Sequence, residues 1–539
     1  MYDYIIVGAG SAGCVLAYRL TEDASVRVLL IEAGGPDTKQ EMHIPIAFAK
    51  LFMTPYDWAY QTETQPQLQN RQMYWPRGKV LGGSGTMNLM VYVRGHEHDY
   101  NQWRESGNTG WGYPDVLPYF KKAERQQHGA SVYHGADGPQ HVADPRSPNV
   151  LSRTFIEAGV QLGLPRNDDF NGAVQEGIGL AQVTQKRGMR NSSVDAYLRP
   201  ALKRPNLTVL TDALVQQIMF ENKRAVGVAY TQQDNTSQAS VRREVILCAG
   251  AINSPQLLLL SGVGAADQLQ ALSIPPIAHL PGVGQNLQDH LLVPVSYTCT
   301  RPITLAAAQS SSNLLKFLLF RKGPLTSNIG EAGAFYKTRE NLPAPDLEMA
   351  FTPAAFRNPK VHGFTFGPIG LAPKSRGYLT LRARDPQQPP YIQPNYLDQA
   401  EDLEVLIEGV KLARQLAQTQ AFDAYRGAEV LPGPQVQSDQ EIADFIRERA
   451  TSGYHPVGTC KMGTDAMAVV DSVLRVHGVE GLRVVDASIM PTLVRGHTNA
   501  AAIMIAEKAA DLIKEASCHS VQEEVQVAIG HKPAFSRED

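Results

Sequence analysis

A short glycine-rich stretch at the start of the chain contains residue types suited to holding phosphate groups. Residues 2–13 contain Gly8, Gly10 and Gly13 after an apolar run, and an acidic residue, Glu32, follows nineteen residues after the last glycine. Gly8 permits a tight turn, Gly10 lets the backbone approach a pyrophosphate, and Gly13 lets the next helix pack closely. Glu32 is placed to accept hydrogen bonds from a ribose diol. The pattern predicts a site for an ADP-containing dinucleotide and leaves NAD and FAD both open.

The elements that must position these residues can be read from the flanking sequence. Residues 4–7 and 26–31 are apolar runs typical of buried parallel strands, and residues 14–20 have the pattern of a helix between them. A further apolar run at 245–251 ends in small residues, as expected where backbone meets a cofactor. These elements predict a Rossmann-like α/β domain.

Length and composition limit the class of protein. A chain of 539 residues, with 43% hydrophobic and 19% charged residues, is typical of a globular enzyme of two domains. The net charge of −3 gives no reason to expect nucleic acid or an anionic membrane as a partner. Five scattered cysteines without a Cys-x-x-Cys pair suit a reducing compartment and argue against a zinc site or disulfide framework.

The same sequence predicts a cytoplasmic location. A strand that begins at residue 2 leaves no room for a signal peptide, and no run approaches the roughly 20 apolar residues that span a bilayer. Residues 314–322 are short, apolar and bordered by basic side chains, as an interfacial helix could be. Packing in the domain core or at a substrate entrance is the favoured interpretation of this segment. Peripheral contact with the inner membrane is the alternative.

The pattern changes in the second half of the chain. An alternating run at 378–384, proline-rich turns and an amphipathic helix at 402–418 indicate a second, α+β domain with an antiparallel sheet. Buried-strand and small-residue helix patterns then return at 482–486 and 500–514. We therefore predict a discontinuous dinucleotide domain with a substrate-binding domain inserted into it. The first comprises residues 1–155, 195–295 and 452–515, the second 156–194 and 296–451, and a C-terminal tail comprises 516–539.

Two longer motifs resemble the signatures of the glucose–methanol–choline (GMC) oxidoreductase family. Residues 78–88, continuing through Tyr92 and Gly95, are similar to the first signature, and residues 250–264 are similar to the second. The resemblance covers residues 1 to about 515 and is strongest to bacterial choline dehydrogenase-like and aliphatic alcohol dehydrogenase members. It implies FAD rather than NAD, a fold of two domains, and oxidation of an alcohol.

The resemblance, with the glycine pattern, defines the expected FAD contacts. Some relatives hold the flavin covalently through a histidine, but the matching position here is Met87, so we expect noncovalent FAD. The N-terminus of the final helix is expected to face the flavin's pyrimidine edge. Asp486 matches a cofactor-binding aspartate, with a structural N-cap as the alternative. The expected contacts are Gly8, Gly10, Ser11, Ala12, Gly13, Glu32, Ala33, Trp58, Arg77, Val80, Gly82, Gly83, Ser84, Asn88, Met90, Val215, Ala249, Gly250, Asp486, Ala487, Asn499 and Ala500.

Two residues near the C-terminus are the expected catalytic pair. Alcohol oxidation removes a proton from the hydroxyl group and a hydride from carbon, which goes to flavin N5. His455, in a loop directly before Pro456, is a natural base because a neutral histidine titrates near working pH. The family uses His with His or Asn at two positions, and Asn499 fits the second, where it would fix the substrate oxygen.

Trp58, Glu331 and Val457 are the expected substrate contacts. By resemblance, Glu331 lies where choline-oxidising relatives have a cation-binding glutamate, but relatives acting on plain alkanols have one too. We expect an uncharged primary alcohol, oxidised to the aldehyde, in preference to choline, because the apolar residues 314–320 fall where the family builds its substrate entrance.

Three alternatives stay open at this point. The first is a choline dehydrogenase or oxidase. The second, from another class, is an FAD-containing lyase without net redox chemistry, against which Asn499 argues because that branch has a second histidine. The third concerns the electron acceptor, a quinone or oxygen, with a dehydrogenase favoured over an oxidase. His96 and His98 have metal-like spacing but match a family loop without metal, so no metal is expected.

Overall fold

Two β-sheets organise the chain, and the glycine-rich loop leaves the first of them. The computed structural model describes residues 1–308, 310–356, 358 and 360–530. Five parallel strands lie in the order Leu207–Leu210, Val28–Ile31, Tyr2–Val7, Asn235–Leu247 and Leu482–Val484. Asn235–Leu247 also pairs antiparallel with Arg224–Gln232, which pairs with Ala213–Glu221. Tyr2–Val7, Val28–Ile31, Leu482–Val484 and the last three residues of Asn235–Leu247 are almost entirely buried, which explains the high Val, Ile and Leu content there.

The strand, glycine loop and helix predicted at the N-terminus are confirmed. The strand Tyr2–Val7 leads through Gly8 and Gly10 into the helix Ser11–Leu20, and Val28–Ile31 ends one residue before Glu32. The predicted run at 245–251 divides into the end of a strand and the start of the helix Gly250–Leu260. The carboxyl ends of the parallel strands therefore open onto one edge of the sheet, where a dinucleotide is bound in folds of this type.

The second sheet is antiparallel and has eight strands, which confirms the predicted α+β architecture. Its strands are Arg426–Leu431, Val295–Cys299, Gly363–Gly370, Leu347–Thr352, Ala332–Tyr336, Gly177–Leu180, Leu291–Leu292 and Thr451–Ser452. Leu291–Leu292 already belongs to this sheet, although residue 295 is the predicted end of the preceding domain segment. The predicted run at 378–384 lies outside it and forms a separate ribbon, Tyr378–Thr380 with Tyr391–Gln393.

The helices cover these sheets and connect them. The α-helices are Ser11–Leu20, Gln40–His43, Glu97–Glu105, Tyr113–Ala123, Val150–Gln161, Arg199–Ala201, Gly250–Leu260, Ala266–Ala271, Ser311–Phe320, Ala400–Gln418, Asp439–Arg449 and Thr498–Gly530. Short 3-10 turns span Pro45–Leu51, Pro66–Leu68, Gly83–Thr86, Leu305–Ala307, Pro324–Thr326, Gln420–Phe422 and Ala487–Ile489, and a π-turn spans Val194–Leu198. Further two-stranded ribbons are Tyr60–Gln61 with Tyr74–Trp75, Glu124–Gln126 with Gln140–Val142, Gln185–Lys186 with Met189–Arg190, and Val263–Gly264 with Ala278–His279.

Two helices differ from the prediction, one in its surroundings and one in its length. The helix Ser311–Phe320 forms where the apolar run lies, but it is on the surface and only Phe317 is buried, so the core interpretation is wrong. The last helix, Thr498–Gly530, continues past the predicted end at 514, so the predicted tail begins inside it, and residues 531–539 lie outside the described part. None of the described helices has both the length and the apolar character that crossing a bilayer requires.

Candidate active site

The N-terminal glycines have the backbone geometry that a phosphate-binding turn requires. Gly8 has φ +96°, in the left-handed region that favours glycine, and the helix Ser11–Leu20 starts directly after Gly10. A Cβ atom at Gly13 would collide with the carbonyl oxygen of Gly8, so glycine is needed there for the helix to pack against the turn. A Cβ atom at Gly10 would have one neighbour within 4 Å, at 3.8 Å, which leaves backbone exposed to a ligand.

A second glycine loop packs against the first. Gly82 and Gly83 have φ +86° and +52°, and the N–H of Gly82 donates to the carbonyl oxygen of Ala9 at 2.7 Å. A Cβ atom at Gly83 would lie 3.0 Å from Cα of Gly10. The two loops therefore form one backbone wall in which side chains are excluded.

Glu32 lies beside this wall and is bound by backbone N–H groups. Its Oε2 accepts from the N–H of Ala9 at 2.8 Å, and its Oε1 accepts from the N–H of Gly34 at 2.9 Å. Burial raises the pKa of Glu32 to about 7, although these two hydrogen bonds oppose the rise. Each carboxylate oxygen keeps a lone pair for a further donor such as a ribose hydroxyl.

The loops border a cavity that is open to solvent. It lies at the carboxyl edge of the parallel strands, where folds of this type bind a dinucleotide. The predicted residues that line it are Gly8, Gly10, Ser11, Ala12, Glu32, Ala33, Trp58, Arg77, Gly83, Ser84, Val215, Ala249, Gly250, Asp486, Ala487 and Asn499. Predicted residues outside its lining are Gly13, Val80, Gly82, Asn88, Met90, Ala500, Glu331, Val457 and His455 itself, whose neighbour Pro456 does line it.

Asp486 fits both interpretations of its role. It lines the cavity, and its Oδ1 accepts from the N–H of Ser488 at 2.8 Å, so it also caps the turn Ala487–Ile489. Its Oδ2 accepts from the N–H of Gly250 at 2.8 Å. Asp486 thereby fixes the start of the helix Gly250–Leu260 at the cavity wall.

His455 is held by a buried aspartate on the neighbouring chain segment. The N–H of His455 donates to Oδ1 of Asp289 at 2.6 Å, and Oδ2 of Asp289 accepts from the hydroxyl groups of Ser452 and Tyr396. Burial raises the pKa of Asp289 to about 6, against the opposing effect of these donors and of Arg77. The loop that carries His455 is thus anchored through its backbone, which leaves the imidazole free for chemistry.

Two further histidines surround the imidazole of His455. Nδ1 of His290 lies 2.9 Å from Nδ1 of His455, and Nε2 of His290 lies 3.2 Å from the carbonyl oxygen of Leu371. The ring of His497 is 4.9 Å from that of His455, centroid to centroid, and its Nε2 lies 3.1 Å from Oε1 of Glu348. Sequence reasoning missed both. His497 stands two residues before Asn499 in the segment already under consideration, whereas the environment of His290 carries no local signal.

Asn499 has a different setting from the one expected of it. Its Oδ1 accepts from the hydroxyl group of Ser11 at 2.6 Å, so its side chain is bound at the glycine wall of the cavity. The residue nearest His455 on this segment is His497 instead. The role of Asn499 as the second catalytic residue stays a prediction.

Two clusters with metal-like composition have other partners. His96 caps the helix Glu97–Glu105, because its Nδ1 accepts from the N–H of His98 at 3.1 Å. The ligand atoms of Asp37, His43 and Asp195 lie within 4.8 Å of one another, but the guanidinium group of Arg199 pairs with both carboxylates.

The fold and the cavity define a dinucleotide-binding protein, in which His455 directly precedes Pro456 of the cavity lining. Sequence-family models described as "GMC oxidoreductase" match residues 2–292 and 373–506. The chain therefore belongs to the GMC oxidoreductase family and is an FAD-dependent enzyme.

Similarity to individual proteins extends over nearly the whole chain. "Choline dehydrogenase, mitochondrial" of Mus musculus is 47% identical over 95% of this chain and 89% of its own length. "Alcohol dehydrogenase [acceptor]" of Pseudomonas putida is 46% identical over 95% of this chain and 96% of its own. The crystal structure of pyridoxine 4-oxidase from "Mesorbium loti" has a TM-score of 0.88 at 32% identity, covering 95% and 99% of the two chains.

Proposed function

We propose that this protein oxidises a primary alcohol to the aldehyde, with His455 as the base that takes the hydroxyl proton. When bound, FAD supplies the acceptor for the hydride that leaves the alcohol carbon. The observation that carries the proposal is the buried imidazole of His455, which pairs through Nδ1 with His290 and directly precedes Pro456, a residue of the cavity lining. The relatives named as alcohol and choline dehydrogenases support the reaction class.

The hydrogen bonds of the histidine pair support an assignment of the protons. A carbonyl oxygen only accepts, so His290 carries a proton on Nε2, next to Leu371. A neutral His290 then presents a lone pair at Nδ1, and Nδ1 of His455 donates to it. His455 is left with its own lone pair on Nε2, which is the nitrogen available to the substrate hydroxyl.

Burial keeps both rings in the neutral form. It lowers the pKa of His290 to about 4, against the opposing charge of Glu348. Burial, together with the neighbouring His497, His290 and Arg77, lowers the pKa of His455 well below its ordinary value. The proposed base is therefore in its proton-accepting form throughout the physiological pH range.

A second polar group is needed to fix the substrate oxygen, and His497 is the side chain that adjoins His455. Its Nε2 lies against the carboxylate of Glu348, which holds the ring in place and leaves Nδ1 for the substrate. We assign this role to His497 and leave Asn499 to the cofactor side of the cavity, where Ser11 binds it.

The residues present fit an FAD molecule, and we propose that no covalent bond holds it. The two glycine loops leave a wall of bare backbone for the pyrophosphate, and Glu32 faces the same cavity. Met87, which stands where some relatives have the linking histidine, is buried with Met42, Leu51 and Val80. A thioether in an apolar cluster cannot provide that link.

The setting of Glu331 favours an uncharged alcohol over choline. Its Oε1 accepts from the hydroxyl group of Ser327 at 2.5 Å, and its Oε2 accepts from Asn149 N–H and Ser152 Oγ, each at 2.7 Å. The side chain is buried and lies outside the cavity lining. A carboxylate saturated in this way is not free to replace the hydration of a quaternary ammonium. Choline stays the alternative, in view of the mouse relative's name.

The sequence-based argument against a lyase, that no second histidine accompanies His455, does not hold in the structure. His497, not Asn499, stands beside His455, so a second histidine is present after all. What disfavours a lyase is the naming of relatives at 46% and 47% identity as dehydrogenases. The same names support a dehydrogenase, and the pyridoxine 4-oxidase neighbour makes an oxidase the alternative. A quinone as the electron acceptor stays a prediction. A cytoplasmic location also stays a prediction, since the mouse relative is mitochondrial by name.

Anaerobic reduction of the purified holoenzyme tests these points together. Ethanol, hexanol, benzyl alcohol and choline are mixed separately with the enzyme, and the flavin absorbance is followed before air is admitted. We expect hexanol or benzyl alcohol to reduce the flavin fastest, and air to reoxidise it slowly. Failure of every alcohol to reduce the flavin would refute an alcohol oxidoreductase, choline as the fastest substrate would refute the preference, and rapid reoxidation would identify an oxidase.

A further inference from the structure

The helix Ser311–Phe320 exposes an unusual amount of apolar surface. Its five residues Leu314, Leu315, Leu318, Leu319 and Phe320, here called the apolar patch, have between 47% and 64% of their surface exposed. Exposed single leucines are ordinary, but five large apolar side chains exposed on one short helix are a concentration of the kind that marks an interaction site.

The apolar side chains are arranged on the outer face of the helix. Leu314 and Leu318, and likewise Leu315 and Leu319, are four residues apart and so lie one above the other. Phe317 points the opposite way into the protein, with the guanidinium group of Arg321 4.9 Å from its ring centroid. Ser310 caps the first turn by accepting from the N–H of Asn313. The helix is therefore fixed to the protein through one side, with its apolar side outward.

The surroundings of the apolar patch are basic. Lys316 and Lys322 are exposed within and after the helix, and the carbonyl oxygen of Arg321 accepts from Nε of Arg146 at 2.6 Å. The turn with exposed Lys186 and Arg187 reaches the same place, because a Cβ atom at Gly188 would lie 2.6 Å from that carbonyl oxygen. Between residues 301 and 330 the sequence contains no Asp or Glu at all. In a chain of net charge −3, this is a local concentration of positive charge.

We propose that this helix is a peripheral membrane-docking element that lies in the surface of an anionic lipid bilayer. The apolar patch would enter the boundary between headgroups and acyl chains, while the basic side chains around it contact anionic headgroups. Charge complementarity selects lipid over a second copy of the chain, since two copies of this surface would bring like charges together. The proposal does not depend on the proposed catalytic residues.

The experiment is co-sedimentation of the holoenzyme with vesicles of phosphatidylcholine, alone or mixed with phosphatidylglycerol. We expect binding to the mixed vesicles that weakens as salt is added, and little binding to the neutral ones. The double variant Leu318→Gln/Leu319→Gln should lower the vesicle partition coefficient at least about tenfold. Lys316→Gln/Lys322→Gln should lower it about fivefold for each charge removed. Val132→Gln/Val174→Gln removes two similarly exposed apolar side chains elsewhere and should leave the partition coefficient unchanged.

Light scattering and flavin content complete the test. All variants should stay folded and keep bound FAD, and neither readout depends on the proposed reaction, so a failure of the proposed chemistry would show separately. The proposal is wrong if the parent ignores mixed vesicles, or if the leucine variant binds them as well as the parent does. It is also wrong if the parent is a dimer that binds no vesicles and the leucine variant is a monomer, because the apolar patch would then be a contact between two copies of the chain.

Discussion

Replacing His290 tests whether it sets the proton position on His455. In His290→Asn, Oδ1 of the new side chain falls near the former Nδ1 and can still accept from His455. In His290→Gln, the longer amide reaches toward Leu371 and leaves Nδ1 of His455 without an acceptor. The two variants have similar polarity, so they separate the hydrogen bond to His455 from the loss of an imidazole.

The expected rate loss follows from the 2.9 Å hydrogen bond between the rings of His290 and His455. As His455 takes the substrate proton it becomes positively charged, and its hydrogen bond to His290 becomes charge-assisted. Such a bond contributes about 1.5–3 kcal/mol, which corresponds to a rate loss of about ten- to hundredfold when it is removed. We expect that loss in His290→Gln and a loss of no more than about threefold in His290→Asn.

The assay is stopped-flow reduction of bound FAD under anaerobic conditions at increasing alcohol concentration. The limiting rate should fall in His290→Gln while the alcohol concentration at half-maximal rate and the FAD content stay near parental values. ¹⁵N-labelled histidine spectra give an independent readout, since they report which ring nitrogen of His455 is protonated. Equal losses in both variants would assign His290 a merely structural role, and equal parental rates in both would remove it from the reaction.

Four further predictions concern the same site. His455→Ala should keep FAD and slow flavin reduction at least about a hundredfold. In the parent, the limiting rate should stay level from pH 8 down to about pH 6, because the lowered pKa keeps His455 neutral there. A fall of the rate through that range would contradict the direction of the pKa shift. His497→Ala should slow flavin reduction by alcohol more than Asn499→Ala does. Asn499→Ala should weaken FAD retention more, because it loses the hydrogen bond from Ser11. If Asn499→Ala instead causes the larger loss of reduction rate, the sequence-based assignment of Asn499 as the second catalytic residue is restored. Acid precipitation should release free FAD into the supernatant, and flavin that stays in the pellet would show a covalent link that Met87 cannot make.

Those parts of the site that depend on local chain geometry could be predicted from the sequence. Gly8, Gly10 and Gly13 are set by a turn, a close approach and a helix packing within one short segment, and Glu32 follows at the end of the next strand. Their spacing therefore carries the information by itself. The antiparallel sheet could be predicted only as a class, because strands as distant as Gly177–Leu180 and Ala332–Tyr336 pair through contacts that no local pattern records.

The catalytic surroundings show the same limit. His290 and His455 are 165 residues apart and meet only because their segments pair side by side, so nothing near His290 in the sequence marks it. His497 could have been chosen as the second catalytic residue, because the family has His or Asn there, but Asn499 two residues later matched the expected residue type equally well. For the helix Ser311–Phe320 the element was predicted and its environment was not, since ten apolar-rich residues fit a core and a surface site alike.

The order of strands in the first sheet has a consequence for folding of the chain during its synthesis. Its fifth parallel strand, Leu482–Val484, is made after the other four, and the hydrogen bond from Ser11 to Asn499 at the cavity wall can form only once residue 499 has been made. A nascent chain still short of these residues exposes one edge of Asn235–Leu247 and has an unfinished cofactor site. FAD can therefore add its full binding free energy only after residue 499 has been made. We expect flavin that is present from that stage onward to raise the fraction of newly made enzyme that reaches the stable holo form.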